Sequence, residues 1–476
     1  MLFFLRIIML VSFSAGGLIV SAQQDIVPLE TLPIVTEISD STAAMVVIGD
    51  IIISGNKKTK DYVVEREIPF KKGEYLLLSN LQTKLELCRQ QLMNTALFVD
   101  VEVRPKQVAD VVFVDIILKE RWYLFPLPYF KIVGRNFNDW WVEHNRDLNR
   151  VNYGLKFMQN NVSGRNDHLN FWLISGYTQQ ASVRYENPFL DKSLKHGVSI
   201  GASYSRNREV NYADSVNKQV FTPIPDQFIY KSIHFDVAYT YRPAIKTRHF
   251  FRFQYNDIEV DESVLELNPE YFPDYKTRIK YPAISYTIQH FNVDYIPYPL
   301  KGFMGDAYIL TRFSKDFMTQ LNFRGTYTKE IFTKSYLQFQ GAGNIRLPFK
   351  QAYYSRSMFG SSDFYMRGLE PYVIQGVVGA IGRATAIKQA VAFNIKNPIK
   401  IKSHDKIPFR IMLKAYGDVG YSYLPNPGTS ILNNKLLRTW GAGVDILSIY
   451  DMVLKIEYSF NQLGGQGLFI HTATDF

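Results

Sequence analysis

From residue 126 to Phe476 the chain repeats one pattern, in which apolar and polar side chains alternate within short segments separated by turns and longer loops. Ile233, Phe235, Val237, Tyr239 and Tyr241 oppose Ser232, His234, Asp236, Thr240 and Arg242; Phe251, Phe253 and Tyr255 oppose Arg252, Gln254 and Asn256. Ile284, Tyr286 and Ile288 likewise oppose Ser285, Thr287 and Gln289. Successive side chains of a strand point to opposite faces, so a period of two predicts strands with one apolar and one polar face. No stretch after the N-terminus approaches the roughly 18 consecutive apolar residues of a membrane-spanning helix. A wall closed on itself, with lipid outside and water inside, accommodates both faces.

Sixteen segments fit this description: 128–139, 152–160, 168–177, 181–188, 197–206, 229–242, 248–261, 278–293, 303–313, 320–332, 335–347, 381–396, 408–423, 438–448, 452–462 and 467–476. An even number returns both ends of the wall to one side of the membrane. The pattern therefore predicts a membrane β-barrel of 16 antiparallel strands over residues 126–476. Trp140, Trp141, Tyr177, Tyr281 and Tyr295, near strand ends, fit interfacial aromatic girdles.

The N-terminal part is different. Arg6, an apolar core from Ile7 to Val20 and the small-residue site Val20-Ser21-Ala22 predict an export signal over residues 1–22. Residues 23–44, with Pro28 and Pro33, read as an extended tether. Order is predicted over 45–122: a strand from Val46 to Ser54 and a short helix from Lys60 to Ile68. A second helix follows from Ser79 to about Thr95, with Ser79 as N-cap and Leu81, Leu85, Cys88 and Leu92 on its buried face. Two strands then close the unit. Phe98 to Arg104 alternates Val99, Val101 and Val103 against Asp100, Glu102 and Arg104, and Val111 to Lys119 is apolar enough for a central strand.

Composition fits this division. Only 46% of the chain is apolar, whereas 15% is aromatic, a balance suited to half-buried strands. The formal charge of +10 comes from basic residues spread through alternating segments, which favours anionic lipid and lumen lining over nucleic acid. The single cysteine, Cys88, excludes an intrachain disulfide.

One long interruption of the pattern, from about Phe349 to Ala380, contains Phe364-Tyr365-Met366-Arg367-Gly368-Leu369. Further on, Phe409, Ile411, Leu413, Ala415 and Val419 share one strand face, and Arg410, Lys414, Tyr416, Asp418 and Ser422 the other. Asp418 thus points into a polar interior, where a loop folded into the lumen could bring Arg367 onto it. Glu457, inward-facing with Lys455 and Ser459, could be a second acceptor, because a guanidinium fork can bind two carboxylates. Gly368 would let the loop turn beside the wall. Gly464, Gly465 and Gly467 precede the end of the chain, either weakening the junction of first and last strands or forming a flexible loop.

Two resemblances follow from these residues. Segment 45–122, with Ile52-x-x-Gly55-Asn56 near its start, Leu97-Phe98 before its second strand and Glu120-Arg121-Trp122 at its end, resembles the polypeptide-transport-associated (POTRA) domain. The resemblance implies a β-α-α-β-β unit that holds client chains or accessory proteins on an exposed edge, here the strand carrying Val99, Val101 and Val103. The remainder resembles the outer-membrane barrels that include BamA, TamA, Sam-type insertases and two-partner secretion transporters. Those barrels carry a Val/Ile-Arg-Gly-aromatic tip on the sixth extracellular loop and an aromatic-x-Asp-x-Gly motif on the thirteenth strand. Met366-Arg367-Gly368-Leu369 and Tyr416-Gly417-Asp418-Val419-Gly420 stand at those places, with Leu369 departing from the aromatic. A terminal aromatic such as Phe476 is what the assembly machinery of such barrels reads.

The sequence shows no Gly-x-Ser-x-Gly elbow, no Gly-x-x-x-x-Gly-Lys loop and no His-Glu-x-x-His, and its eight histidines are scattered without ligand spacing. Gly376 to Gly382 has the wrong spacing for a nucleotide loop and reads as the flexible arm of the sixth loop. No enzyme activity, cofactor or metal is expected. The resemblance implies a noncatalytic factor in the outer membrane of a Gram-negative-type bacterium, with its POTRA domain in the periplasm. Such a factor inserts or translocates unfolded or nascent outer-membrane or secreted polypeptides. Only one such domain precedes the barrel, whereas BamA-type insertases have several, which implies a specialised or accessory member. A dedicated two-partner-type secretion pore and a structural barrel subunit of a larger envelope complex are the alternatives.

Overall fold

The computed structural model describes residues 44–132, 146, 148–191, 193–223, 227–360, 365–397 and 406–473. The predicted export signal, nearly all of the tether, Trp140, Trp141, Phe364 and Phe476 lie outside the described residues.

The first unit comprises β1 (Met45–Ser54), α1 (Asp61–Glu65), β2 (Tyr75–Leu77), α2 (Leu78–Met93), β3 (Phe98–Val108) and β4 (Val111–Glu120). Its sheet runs β2-β1-β4-β3, with β4 parallel to β1 and antiparallel to β3. The apolar β4 is central, as its composition predicts, and β3 lies at an edge. On α2, Leu81, Leu85, Cys88 and Leu92 form one stripe and are all buried against Ile48, Val112, Val114 and Ile116 of the sheet. Burying each larger aliphatic side chain contributes about 1.5–3 kcal/mol.

Four details differ from the sequence reading. The strand β2 is additional, being too short to show a period, and α1 is shorter than predicted. Leu77 rather than Ser79 occupies the N-cap, without a side-chain cap, because β2 runs directly into the helix and carries Ser79 into the first turn. Finally, a bulge between Phe98 and Asp100 shifts the faces of β3. Val101 is buried in the core and Val103 packs against it, while Val99 is the bulged residue and does not join that core.

The second unit is a sheet of sixteen antiparallel strands joined in chain order. They are β5 (Leu124–Ile132), β6 (Val151–Asn160), β7 (His168–Gly176), β8 (Thr178–Asn187), β9 (His196–Asn207), β10 (Tyr230–Ala244), β11 (Thr247–Val260) and β12 (Arg278–Val293). The other eight are β13 (Gly302–Arg312), β14 (Met318–Phe332), β15 (Ser335–Leu347), β16 (Val378–Lys396), β17 (Lys406–Tyr423), β18 (Leu436–Leu447), β19 (Val453–Asn461) and β20 (Gln466–Ala473). The predicted strand count is therefore met, and two predicted spans, 278–293 and 335–347, coincide with β12 and β15.

Register keeps the outward rows continuous. Phe235 pairs with Tyr255, Val237 with Phe253 and Tyr239 with Phe251, and Phe251 and Phe253 pair in turn with Tyr286 and Ile284. These apolar side chains remain uncovered, while Asp236, Ala238, Thr240 and Arg242 of β10 are buried on the other face. A slip of one residue would exchange the two faces, so the pattern fixes the register. Side chains from the turn after β12 cross to a distant part of the wall: Tyr298 donates to Asp445 on β18 (2.8 Å) and Tyr295 donates to Asp451 just beyond it. Such contacts require the sheet to curl into a barrel with its polar face inward.

The first strand lies earlier than predicted, at 124–132 rather than 128–139. Pro126 and Pro128 belong to it, although proline argues against a strand. Among the described residues β5 has a ladder only with β6, and an edge tolerates residues without a donor. No ladder joins β20 to β5 among the described residues.

The girdle assignment fails for three tyrosines. Tyr177 is buried and donates to Glu209, Tyr281 lies under the Arg312 guanidinium at 5.0 Å, and Tyr295 is bonded to Asp451. On β12, Ile284 and Ile288 face out, so strand parity turns Tyr281 inward; Tyr177 and Tyr295 sit in turns. Gly379 and Gly382, read as a flexible arm, are within β16, where an added Cβ at Gly379 would press on Phe359 at 3.1 Å. Gly464, with φ +79°, and Gly465 form the β19–β20 turn, in which the Asn461 side chain accepts from Leu463 N (3.0 Å) and Gly465 N (3.1 Å).

Candidate functional site

The long segment between β15 and β16 turns into the barrel, where Arg367 meets the inner face of the wall. The residue is only 6% exposed. Nε donates to Asp418 Oδ2 (2.9 Å) and Nη2 donates to Asp418 Oδ1, a bidentate pair with the thirteenth wall strand, β17. Nη2 also reaches Thr385 Oγ1 of β16 (3.2 Å), and Nη1 stands 3.8 Å from Glu457 Oε1 of β19. The plane of the guanidinium stacks over the Tyr416 ring at 3.8 Å. One arginine thus touches three strands. Lysine, with a single ammonium, could not reproduce the fork and the stack together.

The surrounding residues hold this geometry. Tyr416 Oη is 2.7 Å from Ser459 Oγ, fixing the ring that carries the guanidinium. Gly368 has φ +80°, and a Cβ there would lie 2.9 Å from Ser459 Cβ and 3.2 Å from Phe460 O. Its carbonyl accepts from Asn461 Nδ2 (2.8 Å). Gly420 faces the Met366 side chain so closely that a Cβ would clash with its sulfur. Met366 and Leu369 are buried in one apolar cluster with Met358, Phe359, Ile374, Ile381, Leu432 and Leu437. Leucine in place of the aromatic leaves the tip fully packed.

Behind the arginine lies a buried chain of alternating charge. Lys414 Nζ on β17 is 2.6 Å from Asp445 Oδ1 and 2.7 Å from Glu457 Oε1. Arg383 donates to the Tyr365 carbonyl, stacks on the Tyr365 ring at 5.0 Å and lies 3.7 Å from Asp418. Lys414, Asp445 and Arg383 complete the network, but none could be selected from sequence, because inward polar positions occur throughout the wall. The sole cue was parity, which places Lys414 on the face of Asp418.

A second set of contacts joins the α+β domain to its end of the barrel. Arg242 at the end of β10 makes a two-bond pair with Glu67 (2.5 and 2.8 Å). Arg121 makes another with Asp451 (2.6 and 2.9 Å). Asn161 in the β6–β7 turn donates to Thr59 (2.9 Å), and Ile296 N donates to Asn94 Oδ1 (3.0 Å). Phe189 and Leu194, from the β8–β9 turn, enter the core of the domain itself. Sequence reading named Arg121 only as part of a motif and missed its partner.

Comparison with known proteins matches both parts. Residues 46–121 match the family model described as "POTRA: Surface antigen variable number repeat", so the first unit is a POTRA domain. CdiB from Escherichia coli is similar in structure at 10% identity over 90% of this chain and 75% of that one, with a TM-score of 0.52, and shows the shared fold. BamA from Haemophilus ducreyi lacking POTRA domains 1–3 aligns at 15% identity over 90% of this chain and 85% of that one, with a TM-score of 0.49. No curated protein sequence matches the chain.

Proposed function

We propose that this chain, a POTRA domain followed by a sixteen-stranded barrel, is a noncatalytic outer-membrane factor that receives polypeptides and inserts or passes them through its barrel. The domain lies at the periplasmic end. There an unfolded chain adds as a strand to the open edge of β3, main-chain hydrogen bonds supplying affinity without demanding a particular sequence. The side chain of Val101 is turned into the core, so it is the backbone of β3, with Val99 at the bulge, that a client meets.

The observation that carries this reading is the bidentate Arg367–Asp418 pair deep in the barrel. A passive pore has no need for a loop tied to the wall by a buried charge network. In a polypeptide-handling barrel the same network holds the lumen closed at rest and ties β16 and β17 to β19, the neighbour of the last strand, where a client is passed on.

Depletion of the protein, followed by quantitative proteomics of the outer membrane and the medium, tests the proposal. Loss of several barrel proteins from the outer membrane is the expected result. A single client accumulating in the periplasm would identify a dedicated secretion pore. Unchanged proteomes would overturn polypeptide handling and leave a structural subunit.

A further inference from the structure

We propose that Glu370, Glu457 and His471 form a binding site for a first-row divalent transition metal, zinc being the best match, that staples the in-folded loop to the last two strands. Glu370 comes from the in-folded loop, and Glu457 and His471 from the adjacent strands β19 and β20. One ligand atom from each lies within 4.8 Å of the other two. His471 Nε2 is 3.1 Å from Glu370 Oε1 and 3.7 Å from Glu457 Oε2. With zinc–nitrogen and zinc–oxygen bonds of about 2.0–2.2 Å, two ligands of a tetrahedral ion stand about 3.3–3.4 Å apart. The two separations from His471, the shorter of them a hydrogen bond that the ion would replace, lie on either side of that value.

The second observation is the state of Glu457. Its side chain is 2% exposed, and its two oxygens are used differently. Oε1 faces Lys414 at 2.7 Å and Arg367 at 3.8 Å, whereas Oε2 is buried without a hydrogen-bond partner and points to His471. A buried carboxylate oxygen left unbonded is costly, and a cation between it and the imidazole would satisfy it. Lys414 and Arg367 meet Oε1, and Lys455, paired across the ladder with His471, is a third cation that interacts electrostatically with Glu457. Oε2 itself is hydrogen-bonded by none of them and remains available to an incoming ion. Imidazole with two carboxylates selects zinc or a neighbouring ion over magnesium or calcium, which prefer all-oxygen sites. The Tyr365 ring, stacked on His471 at 5.3 Å, orients the imidazole, and water would supply the fourth ligand.

The test uses the full-length exported protein in detergent, stripped with a chelator and titrated with zinc chloride alone against a chromogenic competitor. Wild type is expected to take up one equivalent, with affinity weakened at least tenfold in both His471→Ala and Glu370→Gln. Glu370→Gln lies in the loop and keeps the wall intact, and heat-modifiable migration verifies the fold of both variants. X-ray absorption of the zinc-loaded wild type should show nitrogen/oxygen ligation with imidazole scattering. Zinc should also slow proteolysis of segment 348–377 in wild type and not in His471→Ala. Absence of saturable binding, binding retained equally by both folded variants, or a spectrum without imidazole would overturn the proposal.

Discussion

Arg121 and Asp451 are 330 positions apart and share two hydrogen bonds, Nη1 to Oδ2 at 2.6 Å and Nη2 to Oδ1 at 2.9 Å. Both side chains are nearly buried, at 9% and 5% exposure. The pair fastens the last strand of the POTRA domain to the β18–β19 turn. Removing one partner of a buried pair leaves an unpaired charge and costs about 3–5 kcal/mol. Asp451→Ala should therefore expose the junction around residues 121–124 to protease. Arg121→Ala combined with Asp451→Ala should be less destabilised than the sum of the single changes, as measured by denaturant unfolding. Strict additivity would refute the coupling.

Arg367→Ala leaves Asp418 in the barrel interior with Arg383 at 3.7 Å but no bidentate partner, and should lower stability by up to about 3–5 kcal/mol, less where water enters the space left behind. Heat-modifiable migration on a gel reports the fall in unfolding temperature. Arg367→Lys should recover only part of the loss, since an ammonium cannot bridge both Asp418 oxygens, bond Thr385 and stack on Tyr416. Full recovery would mean that charge alone suffices.

Gly368→Val combines a left-handed backbone angle, φ +80°, with a Cβ 2.9 Å from Ser459. It should release the loop almost as completely as Arg367→Ala, while Gly341→Ala, where a Cβ meets nothing within 4 Å and φ is not left-handed, should leave it docked. Protease cleavage between 348 and 377 distinguishes the two. Equal protection would remove Gly368 from the latch.

Cys88 is fully buried, and desolvation pushes its thiol up to about 12. At pH 8 the native protein should resist maleimide, and one label per chain should appear on denaturation, because no other cysteine exists. Leu92→Ala, which opens a cavity beside it at a cost of about 2–5 kcal/mol, should speed labelling of the folded protein. Rapid labelling of the unaltered domain would contradict the packing of α2.

The sequence by itself determined the wall and the domain, because the signals for both are local. A period of two is written in neighbouring residues, so β12 and β15 were legible end to end, and so was the apolar stripe of α2. Where a local rule met a context it does not include, it misled: the prolines of β5 are tolerated at an edge, and Tyr281 turns inward by parity. Arg367 and Asp418 could be nominated because one interrupts the pattern and the other sits on its polar face. Their two hydrogen bonds, the stack on Tyr416 and the reach to β19 exist only once the barrel has curled. The pairings Glu67–Arg242, Arg121–Asp451 and Glu370–Glu457–His471 carried no signal, although Glu457 was legible as an inward carboxylate and Arg121 as part of a motif. Glu67, Arg242, Asp451 and Glu370 each read alone as an ordinary solvated charge, and only contacts across 101 to 330 positions remove water and set them against a partner.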